Sequence, residues 1–214
     1  MDYDFEALEE YAVAHSTPPR ELFERLGAET HETQNAPQMM VGALEGAFLS
    51  FVVAMKQPRL ALEIGTFTGW SGIAMASALP EGAKLISCDV NGETTAIARR
   101  YAEEAGVADR IQYLLGPAAK TLASIEGPFD LVFIDADKPG YIDYYEAVLP
   151  KLADGGVILA DNTLASGNAI APNGEMSEAI ARFNDHVSAD DRVECVLLTI
   201  RDGITLIRKR RAPA

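Results

Sequence analysis

The sequence predicts an α/β protein with a doubly wound, mostly parallel seven-stranded sheet, a final antiparallel hairpin strand and an N-terminal helical extension. Two observations support this fold class. From residue 58 onward, short apolar runs typical of buried strands alternate with segments of helical periodicity. The last two runs are separated only by Ile200-Arg201-Asp202-Gly203 or so, and Asp-Gly is a strong hairpin signal. A Rossmann-like sheet that ends in one antiparallel strand is therefore expected.

Residues 1–57 form the predicted N-terminal extension, because they contain no convincing strand. Helices are expected around residues 4–14, 18–29 and 37–55. Thr17 is expected to cap the second helix, with proline in its first turn, and Pro37 is expected to open the third. The third helix is too apolar over residues 48–55 for a free surface helix, so it should pack on the main domain or on another subunit.

Residues 58–214 form the predicted main domain, in which strands and helices alternate. The seven predicted strands are Leu60–Ile64, Lys84–Asp89, Arg110–Leu114, Phe129–Asp135, Gly156–Asp161, Val193–Thr199 and Gly203–Arg208. The helices between them are expected at about residues 70–79, 91–105, 117–125, 139–152 and 174–188. One long loop, roughly Thr163–Gly174, follows Asp161-Asn162 and can overhang the end of the fifth strand.

The overall composition narrows the class of function. The chain has 214 residues, of which 48% are hydrophobic, and a net charge of −14, so it can build a large core but lacks a long basic footprint for nucleic acid. No apolar stretch is expected to span a bilayer, and the acidic N-terminus lacks the features of a signal peptide. The two cysteines, Cys88 and Cys195, lie in strand-like runs and are expected to be buried, which fits a reducing cytoplasm.

The basic and histidine residues predict no separate binding site. The cluster Arg208–Arg211 is interpreted as the solvated end of the last strand. His15, His31 and His186 fall in polar helical segments without metal-ligand spacing, so a zinc site is not expected.

Oxygen-bearing side chains follow two of the predicted strands. The run Phe129–Ile134 is followed by Asp135-Ala136-Asp137-Lys138, and the next apolar run ends in Asp161-Asn162. Because the carboxyl ends of parallel strands line the ligand crevice of an open α/β sheet, these groups should meet there. Two carboxylates and an amide oxygen suit a hard divalent cation. Lys138 follows closely after Asp135, so the sequence predicts a cation site with a base beside it.

A turn with two glycines follows the first strand and predicts a second binding region. It reads Glu63-Ile64-Gly65-Thr66-Phe67-Thr68-Gly69. This spacing differs from the G-x-G-x-x-G that cradles a pyrophosphate, so an uncharged or cationic ligand suits it better than a dinucleotide. Asp89 ends the second strand, twenty-four residues after Gly65, where an acidic residue commonly binds ribose hydroxyls. Asp89 alone would suit NAD as well as a nucleoside.

These motifs together resemble a known enzyme family. The glycine turn and the acidic end of the second strand are similar to class I S-adenosylmethionine-dependent methyltransferases. The resemblance narrows to the cation-dependent O-methyltransferases of the caffeoyl-CoA and catechol type, on the stretches Leu62–Ser71, Gly116–Ala118, Asp135–Lys138, Asp161–Leu164 and Asp202–Leu206. The match extends from about Met39 to Lys209, and Asp-Ala-Asp-Lys together with Asp-Asn is its most specific part.

The resemblance implies roles for individual residues. The methyl donor would be S-adenosylmethionine, bound by Val41, Glu63, Gly65, Thr66, Ser71, Asp89, Ala118 and Asp135. The cation, most simply Mg²⁺ with Ca²⁺ or Mn²⁺ as alternatives, would be held by Asp135, Asp161 and Asn162. Lys138 and Asp135 would be catalytic. A phenol has a pKa near ~10, a chelated cation lowers it, and Lys138 would take the proton.

Two stretches depart from the family pattern. Plant-type relatives carry Met-Thr-Thr where this chain has Met39-Met40-Val41, so a hydroxyl contact is lost and the backbone of Val41 remains. Family members often have Leu-Trp-(Ser/Asn)-Gly after the Asp-Asn pair, whereas this chain has Leu164-Ala165-Ser166-Gly167 and lacks that aromatic wall for the acceptor ring. No basic pocket for a coenzyme A tail is evident. The expected acceptor is therefore a small catechol-like or hydroxylated aromatic molecule.

Other functions stay open at this point. Relatives of this fold methylate modified tRNA bases, although the net charge of −14 weighs against nucleic acid. The glycine spacing disfavours an NAD-dependent oxidoreductase, and the complete set of proposed cation ligands disfavours a catalytically silent binding protein. The apolar third helix and the resemblance predict a homodimer. Tyr141, Tyr144 and Tyr145 are expected to pack a helix, with Tyr141 close enough to reach the site.

Overall fold

The computed structural model describes the backbone of residues 5–210 and the side chains from Ala7 onward. The ends of the predicted extension and main domain, including Arg211 of the basic cluster, lie outside the described residues. The helices are α1 (Phe5–Ala14), α2 (Glu21–Thr33), α3 (Gly42–Lys56), α4 (Trp70–Ala78), α5 (Gly92–Ala105), α6 (Ala118–Ser124), α7 (Tyr141–Val148) and α8 (Glu175–Ser188). The strands are β1 (Leu60–Ile64), β2 (Lys84–Asp89), β3 (Ile111–Leu115), β4 (Phe129–Ile134), β5 (Leu152–Ala160), β6 (Val193–Leu198) and β7 (Ile204–Lys209).

The seven strands found between residues 5 and 210 form a single sheet in the order β3-β2-β1-β4-β5-β7-β6. Strands β1 to β5 are parallel, and β7 lies antiparallel between β5 and β6. The predicted fold class, a mostly parallel doubly wound sheet with a closing hairpin, is confirmed. Strand order reverses at β1 and β4, which is where open α/β sheets form their ligand crevice.

The core lies on both faces of the sheet, as expected for parallel strands covered by helices. In β4, Leu131 and Phe133 face one hydrophobic cluster, which includes residues of α2, α3 and α4. Val132 and Ile134 face the other, which includes residues of α7 and α8. The alternation along a single strand therefore explains why the run Phe129–Ile134 is apolar at nearly every position.

The third helix packs against the rest of the molecule through one side. Leu49 and Val53 of α3 are fully buried in the core cluster that α4 shares, whereas Phe51 and Met55 on the outer side are exposed. Contrary to the sequence prediction, the helical segment Pro37–Lys56 is long and apolar enough to cross a membrane by length and composition alone. Length and composition are weak evidence, because the core helices of other proteins meet the same criteria, and α3 itself buries Leu49 and Val53 in the core cluster.

Two predicted helix starts are wrong because of proline and glycine. Helix α2 begins at Glu21, and Arg20 rather than Thr17 precedes its first turn without a side-chain cap. Proline disfavours helical geometry in the residue before it, so two consecutive prolines delay the helix. Pro37 opens only a 3₁₀ turn, Pro37–Met39, and α3 starts at Gly42, whose φ of 72° breaks the continuity.

The boundary between α7 and β5 also differs from the prediction. The predicted helix over 139–152 ends at Val148, a 3₁₀ turn Leu149–Lys151 follows, and β5 begins at Leu152 rather than at Gly156. Pro150 cannot donate a helical hydrogen bond. The pairing of β4 with β5 is irregular near its start, so the strand accommodates extra residues that no simple alternation reveals.

The prediction for the cysteines is half correct. Cys88 in β2 is buried, but Cys195 in β6 is exposed. Strand β6 lies at one edge of the sheet, and its residues from Glu194 to Leu197 are exposed. Both cysteines are free.

Candidate active site

A cavity of about 1080 Å³ lies at the carboxyl edge of the parallel strands. The register pairs Ile64 with both Cys88 and Ile134, and Ile134 with Ala160, so four strands end at the same level. The predicted site residues that line this cavity are Val41, Gly65, Thr66, Ser71, Asp89, Ala118, Asp135, Lys138, Asp161 and Asn162. Glu63 is fully buried beneath the glycine turn. The sheet topology therefore brings together residues that are up to 121 positions apart (162 − 41) in the chain.

The glycine turn requires glycine at both predicted positions. Gly65 has a φ of 104°, and a Cβ atom there would lie 1.7 Å from the carbonyl oxygen of Asp135. Gly69 has a φ of 98°, and a Cβ atom there would lie 2.6 Å from the Cβ of Ala98. The left-handed backbone and the close approach both exclude other residues. The turn thus rests directly on the main chain that follows β4.

Glu63 forms a buried network below the turn. Its carboxyl accepts hydrogen bonds from Ser71 at 2.6 Å and from Ser87 at 2.5 Å. Burial raises the pKa of Glu63 to about 8, although both serine hydroxyls act in the opposite direction. Ser87 in β2 was not singled out by the sequence, because a serine within an apolar strand carries no motif. Glu63 therefore positions Ser71 at the start of α4.

Asp89 organises the same turn from the neighbouring strand. Its Oδ2 accepts hydrogen bonds from the backbone N–H groups of Thr66 at 2.9 Å and Phe67 at 2.8 Å. Its Oδ1 accepts another from Asn91 at 2.8 Å. Asp89 also lines the cavity, so one carboxylate fixes the loop and remains next to the space for a ligand.

The predicted cation ligands meet around the ammonium group of Lys138. Its Nζ donates hydrogen bonds to Asp135 Oδ1 at 3.1 Å and to Asn162 Oδ1 at 2.5 Å. Asp161 is 2% exposed, and burial followed by the nearby Asp135 charge raises its pKa. The Lys138 ammonium group thus lies among the oxygen atoms that are predicted to bind a cation.

Tyr141 holds Lys138 from the other side. The Lys138 Nζ donates to the Tyr141 hydroxyl at 2.7 Å, and that hydroxyl donates to the Asp161 carbonyl at 3.0 Å. The ring packs edge-on against Phe183, and burial raises the pKa of Tyr141 well above its usual value. Tyr141 therefore packs its helix, as predicted, and also reaches the site.

Glu45 is a buried carboxyl that sequence reasoning missed. It lies on α3, and burial, followed by the charges of Asp161 and Asp135, raises its pKa. Arg201 donates to Glu45 Oε2 at 2.8 Å, while Oε1 meets no N–H or O–H donor in the described part of the chain. The available signal was a lone charge inside an apolar helix, since Glu45 is the one charged residue between Gly42 and Met55.

A second group of ionisable side chains lies away from the cavity. Glu146, His186 and Asp190 lie close enough together to hold a metal ion, which sequence spacing alone did not indicate. Arg192 already pairs with Glu146 at 2.7 Å and with Asp190 at 2.6 Å. His186 also contacts Glu146 at 2.8 Å. These contacts show that the three side chains belong to a cluster of paired charges near the surface.

Comparison with known proteins gives a consistent result over nearly the whole chain. A family model described as O-methyltransferase matches residues 13–210. Probable caffeoyl-CoA O-methyltransferase 2 of Dictyostelium discoideum is 36% identical over 207 residues, which cover 93% of this chain and 90% of the relative. Caffeoyl-CoA O-methyltransferase of Eucalyptus gunnii is 34% identical over 219 residues, covering 95% and 88%.

Solved structures with the same fold include proteins bound to SAH. The SAH-bound methyltransferase PaMTH1 of Podospora anserina superposes with a TM-score of 0.91 at 27% identity, covering 99% of this chain and 98% of that protein. An O-methyltransferase from Bacillus cereus in complex with SAH gives a TM-score of 0.87 at 29% identity, covering 95% and 97%.

Proposed function

The chain belongs to the O-methyltransferase family as an S-adenosylmethionine-dependent enzyme, and we propose that it uses a divalent cation, most simply Mg²⁺, to methylate a hydroxyl of a catechol-like small molecule. The observation that carries this proposal is the meeting of Asp135, Asp161, Asn162 and Lys138 beside the glycine turn. A methyl donor and an acceptor would then share one cavity.

The donor would lie against the glycine turn. Asp89 lines the cavity beside the turn and would accept hydrogen bonds from the ribose hydroxyls, as its position at the end of β2 favours. Ser71 stands at the start of α4, where backbone N–H groups favour a carboxylate such as that of the methionine moiety. Ala118 would flank the adenine, and the backbone of Val41 would contact the cofactor.

The oxygen atoms around Lys138 fit a divalent cation. Asp135, Asp161 and Asn162 supply two carboxylates and an amide oxygen, the ligand types that Mg²⁺ prefers. The Lys138 ammonium already bonds to two of them, and the nearby Glu45 carboxyl adds an oxygen without a donor. When bound, a cation here would lower the pKa of a chelated hydroxyl and orient it.

In its neutral amine form, Lys138 would take the proton of the acceptor hydroxyl at its Nζ atom. Tyr141 and Asn162 fix that atom at 2.7 and 2.5 Å, which holds it at the wall of the cavity. A phenol is largely neutral at pH 7, since its pKa is near ~10, so proton removal must accompany attack on the methyl group. The remaining contribution of the chain is to bring donor and acceptor into line.

The charges that line the cavity favour a small acceptor without phosphate groups. The lining acidic residues are Asp89, Asp135, Asp137, Asp161, Glu175 and Asp202, and the lining cations are Lys138 and Arg201. Arg201 already pairs with Glu45 and Glu9. A phosphate-bearing coenzyme A tail would meet net negative charge, whereas Met39 and Met176 offer apolar surface to an aromatic ring. A modified tRNA base, the alternative acceptor, is not favoured.

Two further properties belong to the proposal. The exposed Phe51 and Met55 of α3 would be covered in a homodimer, which is the expected assembly. A cytoplasmic location fits the two free cysteines.

The central experiment is a methyl-transfer screen over vicinal diphenols with labelled S-adenosylmethionine, with and without EDTA. Transfer that requires added Mg²⁺ supports the proposal. Transfer that survives complete removal of divalent cations contradicts the cation, and absence of transfer to every diphenol contradicts the acceptor class. Calorimetric titration with S-adenosylhomocysteine and with NAD checks the cofactor independently.

A further inference from the structure

The tip of the β6–β7 hairpin contacts two segments that line the cavity. We define this tip, Arg201–Gly203, as the hairpin clasp. Its first residue contacts the start of α3, and its second contacts the loop that follows Asn162. These are the two stretches in which the sequence departs from the family pattern, at Met39–Val41 and at Leu164–Gly167.

Arg201 donates to three acceptors, one on α1 and two at or next to the start of α3. Its Nη1 donates to the carbonyl oxygen of Val41 and to Glu45 Oε2, and its Nε donates to Glu9 Oε1 at 3.2 Å. Glu45 is fully buried, so its carboxyl depends on the guanidinium for compensation. Arg201 itself adopts a left-handed backbone, with φ of 47°, which a non-glycine residue rarely takes without a reason.

Asp202 and Gly203 secure the loop side. The Ser166 N–H donates to Asp202 Oδ1, and the Leu164 N–H donates to the Asp202 carbonyl at 2.8 Å. A Cβ atom on Gly203 would lie 2.6 Å from Cγ of Leu164, so the two chain segments are in direct contact. Ala165 and Ser166 are both left-handed, with φ of 50° and 53°, and the Asp202 carboxylate holds this unfavourable pair in place.

We infer that Arg201 and Asp202 are positioning residues for the acceptor. They are adjacent in one turn, and each contacts one of the two segments that line the acceptor end of the cavity. The assignment rests on the proposed function, since it takes the space next to Lys138 as the acceptor site. Neither residue touches the atoms proposed to react. Loss of the clasp should therefore weaken acceptor binding more than it slows the chemical step.

The test compares Asp202→Ala and Arg201→Met with matched controls on the same hairpin. Asp191→Ala removes an exposed carboxylate just before β6. Arg208→Met, in β7, removes an exposed ion pair with Glu194 of β6. Asp202→Ala should raise the acceptor KM at least tenfold, change kcat less than threefold, and leave the dissociation constant of S-adenosylhomocysteine within twofold. Both controls should keep all three values.

Arg201→Met leaves Glu45 buried without its partner, so the double variant Arg201→Met/Glu45→Gln accompanies it. The neutral amide needs no guanidinium, and the double variant should recover folding while the acceptor KM stays raised. An acceptor KM that stays at the wild-type value in Asp202→Ala would overturn the assignment. Parallel loss of S-adenosylhomocysteine affinity in Asp202→Ala would also overturn it, because that result marks general destabilisation.

Hydrogen exchange separates this inference from the proposed function. In Asp202→Ala, the amides of residues 164–168 should exchange at least tenfold faster than in Asp191→Ala, with or without any acceptor. If the wild-type enzyme methylates no diphenol, the proposed acceptor class fails, while the exchange result still decides whether the clasp holds the loop. Unchanged exchange across residues 164–168 overturns the clasp even in an enzyme that methylates catechols.

Discussion

The proposed donor half of the cavity, around the glycine turn, and the proposed acceptor half, around Lys138, differ in how their carboxyl groups are paired with hydrogen-bond donors and cations. In the donor half, Asp89 accepts three backbone N–H groups and Glu63 accepts two serine hydroxyls. In the acceptor half, Glu45, Asp135 and Asp161 lie close to only two cationic side chains among the described residues, Lys138 and Arg201. The carboxyl groups of the donor half are therefore satisfied by the chain itself, whereas the acceptor half has more carboxyl groups than cationic side chains, which suits an added cation.

The largest expected effect concerns Lys138, the cationic side chain that lies among the proposed metal ligands. Lys138→Met should lower turnover by about 10²- to 10⁴-fold, the range for loss of a general base, while S-adenosylhomocysteine binding stays within threefold. Lys84→Met, at an exposed lysine at the opposite end of β2, is the matched control. Methyl-transfer rates and calorimetry provide the measurements. Wild-type turnover in Lys138→Met would remove the base from the mechanism.

The donor half can be broken at its backbone. Gly65→Ala should lower the free energy of unfolding by about 2–4 kcal/mol, since a left-handed alanine costs roughly 1 kcal/mol and overpacking adds about 1–3. Gly82→Ala is the matched control, because Gly82 has a φ of 77° but a Cβ atom there would meet no other atom within 4 Å. Denaturant unfolding measures both. Equal losses in the two variants would show that the contact with Asp135 contributes nothing.

The excess of carboxyl groups in the proposed acceptor half predicts direct cation binding without any substrate. Asp161→Asn should weaken Mn²⁺ binding by at least about 10-fold, because a proposed ligand changes from a carboxylate to a neutral amide, and even altered outer-shell partners cost about 10- to 100-fold. Asp143→Asn, at an exposed aspartate of α7, should leave it unchanged. Titration followed by electron paramagnetic resonance reports free Mn²⁺. Equal affinity in all three proteins would remove Asp161 from the cation site.

The last prediction sharpens the comparison through pH, and its effect within any one pH unit is the smallest. Glu63 has a pKa of about 8 in the folded chain, against a usual value of 4.5, so the folded state binds more protons between these values. Its contribution to stability is complete at low pH and is lost as pH rises from about 4.5 to about 8, by at most about 1.4 kcal/mol per pH unit. Glu63→Gln should flatten the dependence of unfolding free energy on pH in this interval. An unchanged slope would contradict the assignment to Glu63.

Most residues that line the proposed donor half, and the three proposed cation ligands, were singled out from the sequence and do lie at one cavity. Asp135, Asp161 and Lys138 follow apolar strands, and parallel strands end at a common edge, so their meeting follows from the fold class. Glu45 and Arg201 lie 156 positions apart, and nothing in the local pattern of either indicates the other. Their contact depends on how α3 packs beside the final hairpin.

Two of the errors in the predicted fold have the same origin. The early start of β5 at Leu152 reflects an irregular pairing with β4, and the exposure of Cys195 reflects the position of β6 at the sheet edge. Local periodicity gives the type of an element, but neighbours in space decide its ends and its exposure. The error at Thr17 has a local cause. The two prolines that follow Thr17 delay the helix, and the prediction gave more weight to the capping pattern than to these prolines.

The contact between Gly65 and the carbonyl oxygen of Asp135 has a consequence for how such an enzyme can diversify. The two halves of the cavity touch through main chain alone at this point, so their separation is set by the β1–β4 register and no side chain can adjust it. The distance between the two halves, which the transferred methyl group would cross, is therefore set by the backbone. We expect that substitutions in α3, the loop after Asn162 and the hairpin clasp change acceptor preference while this distance stays constant.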